Sequence, residues 1–125
     1  MALTDSFKDY IADQLRYLER IGHVSIKKMF GGAGIYFDGL IFGIINDEDV
    51  LFFKVDDSNR SDYESIGMGP FKPFDDKPMV MPYYEVPEDV VENMEMLAEW
   101  ASKAIEVSQK TPPKKKRINN LNIFR

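Results

Sequence analysis

The chain has no cysteine and a single histidine, His23. Disulfides and thiolate metal sites are therefore excluded, and zinc has no ligand set to draw on. No apolar run is long enough to span a bilayer. The amino terminus, Met1-Ala2-Leu3-Thr4-Asp5, carries acid early and lacks the basic and apolar regions of a signal peptide. A reducing, cytoplasmic location fits these absences. There is no Gly-x-Ser-x-Gly elbow, and one histidine without a partnered nucleophile makes no triad. Carboxylates are plentiful, so no pair stands out as an acid/base couple. The expectation is a protein that is not an enzyme and carries no cofactor and no metal.

What is present is an ordinary globular composition. Its 125 residues suit one domain with a sizeable core, 44% of them hydrophobic and 30% charged. The net charge of −5 hides an asymmetry. Residues 110–125 hold Lys110, Lys114, Lys115, Lys116, Arg117 and Arg125 and no acid, so all 21 acids lie in the body. Such an acidic body is a poor partner for DNA phosphates, whereas the basic tail can touch nucleic acid or an acidic protein surface. Pro113-Lys114-Lys115-Lys116-Arg117 also resembles a short nuclear localisation motif, but a solvated tail explains it as well. The expected division is a folded unit over residues 1–109 and a flexible basic tail over 110–125.

Apolar spacing predicts a first helix from Thr4 or Ser6 to Ile21, with Phe7, Ile11, Leu15, Leu18 and Ile21 on one stripe. Three strands follow: Lys28 to Phe37, interrupted by Gly31-Gly32-Ala33-Gly34; Leu40 to Ile45; and Val50 to Val55. Asp38-Gly39 is a type I′ turn signal between the first two. A short helix is expected over Ser58 to Ile66, ended by Gly67. Met79-Val80-Met81 and Tyr83-Tyr84-Glu85-Val86 read as short strands broken by Pro82. Pro87 to Gln109 reads as the last helix, with Val90, Met94, Leu97, Ala101, Ala104 and Ile105 on its apolar face and Met96, Trp100 and Val107 on the flanks. The architecture expected is α+β, an antiparallel sheet with helices on one face, in α-β(3)-α-β(2)-α order.

The glycine-rich segment invites comparison with a phosphate cradle, but the spacing fails. Ile35-Tyr36 stand where a P-loop needs Lys-Ser/Thr, and Phe37 stands where a dinucleotide fingerprint needs a small residue. A bent strand leading into the Asp38-Gly39 turn is the better reading. Asp56-Asp57-Ser58-Asn59 has the look of a calcium loop, yet Asp62 occupies the required glycine position and Met68 the required glutamate. The candidate binding residues are those around the bend, Lys27, Lys28, Met29, Phe30, Gly31 and Gly32, and the wide apolar flank of the last helix, Met96 and Trp100. Lys27-Lys28 is the only adjacent basic pair in the acidic body. The flank of the last helix can mediate dimerisation.

Lys28-Met29-Phe30-Gly31-Gly32, then Ile35-Tyr36-Phe37-Asp38-Gly39, Pro70-Phe71, Tyr83-Tyr84-Glu85-Val86-Pro87 and Trp100-Ala101 resemble the TfoX/Sxy N-terminal domain family over roughly residues 6–109. The resemblance implies a bacterial, two-layer α+β unit similar to type III secretion chaperones. It also implies a tie to regulation of natural competence genes alongside the cyclic-AMP receptor protein. In full-length members of the family a C-terminal helical domain follows, about where this chain ends. No catalytic residue comes with the resemblance. The function expected is a regulator-like module working through contacts with a protein partner. The alternatives are a chaperone-like, peptide-binding or adaptor dimer and, third, a small-molecule or phosphate binder at the bend.

Overall fold

The computed structural model describes residues 4–29, 31–71 and 82–110. The first helix, α1, spans Asp5–Gln14. Thr4 caps it: its backbone is extended, and its Oγ1 accepts from the Phe7 N–H at 3.2 Å. The helix ends earlier than the apolar stripe suggested. Leu15 leaves helical geometry and the chain tightens into a 3-10 turn over Arg16–Arg20. At three residues per turn Leu15 and Leu18 fall on one side, so both stay buried with Ile11, while Ile21 at the end of the stripe is 70% exposed.

Strand β1 is Val24–Met29 and β2 is Gly32–Phe37. They pair antiparallel from Val24 opposite Phe37 to Met29 opposite Gly32. This corrects the expected single bent strand from Lys28 to Phe37: the glycine-rich segment is a hairpin, with Gly31 at φ +83° in its two-residue link. Gly32 is needed because a Cβ there would lie 2.3 Å from the Ile45 carbonyl oxygen. Asp38 (φ +50°) and Gly39 (φ +85°) make the expected I′ link to β3, Leu40–Ile45. The β2–β3 register shifts between Ile35 and Tyr36, which leaves Phe42 as the extra residue of a bulge. Its ring is fully buried 5.6 Å from that of Phe53.

Strand β4, Leu51–Lys54, pairs with β3, and β5, Tyr83–Glu85, pairs with β4, so the five antiparallel strands lie in chain order. Four strands thus precede the middle helix where three were expected. That helix, α2, is Arg60–Glu64, shorter than Ser58 to Ile66. Before it stands buried Asn59, whose amide accepts from the Asp56 N–H at 2.9 Å and donates to the Lys54 carbonyl at 3.1 Å. The expected strand Met79-Val80-Met81 lies outside the described residues.

The last helix is two helices, α3 over Glu88–Val91 and α4 over Met94–Lys110. Asn93 makes the break. Its Oδ1 accepts from the N–H groups of Glu95 and Met96, both at 3.1 Å, and so restarts the helix as a cap. The Val91 carbonyl, which a continuous helix would pair with Glu95, instead accepts from the buried Gln14 amide at 2.8 Å.

Side-chain alternation gives the sheet two faces. Ala33, Ile35, Phe37, Ile45, Leu51 and Phe53 meet α1, the 3-10 turn and α4 in one core, to which Leu97, Ala101, Ala104 and Ile105 contribute from α4. Met29, Tyr36, Ile41, Ile44, Phe52 and Tyr83 project from the other face. The result is the two-layer α+β architecture expected.

A candidate protein-binding groove

Where the amino-terminal helix passes the start of β4, the chain forms a groove of about 400 Å³. Phe7 and Tyr10 of α1 supply one wall, with ring centroids 6.1 Å apart. Val50, Leu51, Val86 and Val91 supply the floor and the facing wall. Strand pairing and the helix break hold that floor: the Val86 N–H donates to the Leu51 carbonyl at 3.0 Å, and Gln14 grips Val91 from beneath.

Among the described residues the charged lining is all of one sign: Asp49, Glu85, Glu88 and Glu92 stand around the groove, and no described lysine or arginine lines it. Among the described residues none of the four forms an ion pair. Asp49 sits at φ +62° in the β3–β4 turn, where the Asn46 side chain accepts from the N–H groups of Glu48 and Val50. Its carboxylate receives the Thr4 N–H at 3.0 Å and the Thr4 hydroxyl at 2.8 Å. Both donors are neutral, so the charge remains while the loop is clasped to α1. Four unneutralised carboxylates around an apolar floor attract a cationic, partly apolar ligand.

The residues singled out from the sequence lie elsewhere. Lys27 projects over the Tyr36 ring, 5.2 Å from its centroid, and Met29 covers Gly34 on the same face. Lys28 points to the helix side and pairs with Asp5, whose carboxyl is held below its usual range by that hydrogen bond and charge. Gly31 and Gly32 serve the hairpin, and Phe30 lies outside the described residues. Met96 is 39% exposed on α4, whereas Trp100 is half-buried edge-on against Tyr63 at 4.7 Å. The structure gathers 27–29 with 31 and 32 on one hairpin and does not bring Met96 or Trp100 to it; none of these residues lines the groove. The groove residues carried a weak signal: Glu88 and Glu92 share a face at i, i+4, and Tyr10 stands three residues after Phe7, off the main stripe.

Among the described residues no group of three or more His, Cys, Asp or Glu side chains is placed to hold a metal ion, and no helix is long and apolar enough to cross a membrane. Residues 16–108 match the TfoX N-terminal domain. The chain belongs to that family. The TfoX N-terminal domain match takes in all five described strands and nearly all of α4, and it begins at the first residue of the 3-10 turn. The groove floor and its Glu85, Glu88 and Glu92 rim therefore lie inside the family unit, while the Phe7 and Tyr10 wall precedes it. No curated protein matches the chain.

Proposed function

We propose that this TfoX-family domain is a cytoplasmic, non-enzymatic regulator module that acts by holding a segment of another protein. The observation that carries the reading is the apolar groove ringed by Asp49, Glu85, Glu88 and Glu92, with no cation among its described lining residues. Such a site favours a segment that presents apolar side chains flanked by lysine or arginine, and it repels nucleic-acid phosphate. The setting suggested by the family is transcriptional regulation of competence genes, in which this domain would contact a protein rather than the promoter. The test is affinity capture with full-length protein, comparing wild type with a Glu88→Lys/Glu92→Lys variant of unchanged melting temperature. A partner retained by the first and lost by the second supports the reading. Equal capture by both, or tight binding of duplex DNA after the tail lysines are neutralised, overturns it.

The chaperone-like dimer is favoured by a different observation. The sheet face opposite the helices carries half-buried Met29, Tyr36, Ile41 and Ile44, an apolar surface suited to a second copy or a peptide. Light scattering that reports a monomer at every accessible concentration removes the dimer.

A further inference from the structure

The groove asks for a segment that is basic and apolar at once, and this chain carries one. Residues 114–117 are Lys-Lys-Lys-Arg, and Leu121, Ile123, Phe124 and Arg125 follow, with no acid between them. Resting on the reading of the groove given above, we propose that residues 111–125 occupy it within the same molecule, so that the tail competes with the partner for one site.

Charge and reach both support this. A run of four basic residues is opposite in charge to the four groove carboxylates, which have no ion-pair partner among the described residues. Glu106, on α4 itself, forms no ion pair among the described residues, but two other acids near the end of that helix are engaged: Asp62 pairs with Lys103 at 2.9 Å, and Asp56 meets Lys110 at 3.5 Å. Neither belongs to an apolar groove. Helix α4 starts at Met94, two residues beyond Glu92 on the groove rim, and its 17 residues carry the chain about 25 Å away. Fifteen further residues extend to about 50 Å, and the first seven reach about 25 Å. Arg117, the seventh of them, can therefore regain the rim at full extension, and Leu121, Ile123 and Phe124 follow it into the groove, while Lys114, Lys115 and Lys116 lie on the approach, where the carboxylates act on them at longer range. Tethering supplies an effective concentration on the order of 1 mM, so a segment that binds as a free peptide with a Kd of about 0.1 mM would be about 90% docked.

The lack of cysteine makes the test clean. Phe124→Cys in the full chain gives a unique site for a nitroxide label, and amide signals report its neighbours through paramagnetic broadening. The expected result is broadening of Val50, Glu88, Val91 and Glu92 several-fold above that of α2, independent of protein concentration. It is lost in the Glu88→Lys/Glu92→Lys variant and with Lys114, Lys115 and Lys116 changed to Glu. Because Phe124→Cys removes one apolar contact, an Arg125→Cys label gives a second reading, expected to match. Broadening on another face, uniform absence of broadening from both labels, or broadening that scales with concentration overturns the proposal. The two readings fail separately. If the tail does not dock but the groove variant still loses its partner, only the present inference falls; if the tail docks and partner capture ignores the groove variant, only the functional reading falls.

Discussion

The side-chain amide of Gln14 donates to the carbonyl of Val91 across 2.8 Å, joining the end of α1 to the end of α3 inside the protein. Gln14 is 8% exposed and Val91 is 9% exposed, so neither group has an easy substitute in water. This bond terminates α3 and sets the height of Val91 in the groove. Gln14→Leu keeps the volume and removes the donor. The expected cost is about 1–3 kcal/mol, the penalty of an unsatisfied buried carbonyl, read as a lower midpoint in urea unfolding together with weaker partner capture.

Tyr10 separates binding from stability. It is 39% exposed and stands on the groove wall. Tyr10→Ala is expected to leave the unfolding midpoint within about 0.5 kcal/mol of wild type, as for other surface changes, while reducing partner affinity about tenfold or more, as truncation of an aromatic anchor does. Unchanged affinity would remove Tyr10 from the interface.

Glycine positions make a paired test of the hairpin. Gly32→Ala drives a methyl to within 2.3 Å of the Ile45 carbonyl oxygen, whereas Gly69→Ala meets nothing within 4 Å among the described residues. The first is expected to cost about 1–3 kcal/mol through overpacking; the second is expected to be neutral. Thermal melts of the two variants side by side give the comparison.

Alkaline pH is expected to unfold the protein through its tyrosines. Burial pushes the Tyr63 and Tyr83 hydroxyls above their ordinary value of 10.0, with nearby Asp62 and Tyr36 adding to the respective shifts. The unfolded chain releases those protons near pH 10, while the folded one retains them. Their stabilisation is complete below that pH and is lost as pH rises through the folded values. The Tyr63 hydroxyl also lacks a hydrogen-bond partner among the described residues. Tyr63→Phe is therefore expected to raise stability by about 1 kcal/mol at neutral pH and to flatten the alkaline fall. Asp56 gives the opposite limb. Hydrogen bonds from the Ser58 hydroxyl and N–H hold its carboxyl below the usual range, so its contribution is present above about pH 4 and fades as pH falls. Melting temperature against pH tests both limbs.

Much of this fold can be read from local chemistry. Asp38-Gly39 demands left-handed backbone at both positions, and Leu40 to Ile45 has the composition of a strand, so both were legible. What escaped was decided by distant partners. The glycine-rich segment looks like one bent strand until Gly32 is seen to need the space beside Ile45. Residues 87–109 keep helical periodicity throughout, and only the carbonyl taken up by Gln14, 77 positions earlier, shows why Asn93 can interrupt them. The groove was hidden for the same reason. Asp49, Glu85, Glu88 and Glu92 each read as ordinary solvated acids, and only folding places them around one apolar floor.

The meander order of the sheet has a consequence for synthesis. Strands β1 to β4 pair with their sequence neighbours, so they can assemble as soon as residue 54 leaves the ribosome. Their inner face, with Ile35, Phe42 and Phe53, is covered by Leu97, Ala101 and Ile105, which are translated some forty residues later. At about 5–20 residues per second that surface waits about 2–9 s for its cover. Until then the inner face of the four strands has only α1 and the 3-10 turn over it, β5 has yet to pair with β4, and charged Lys27 and Lys28 on the edge strand β1 disfavour pairing with neighbouring chains on a polysome.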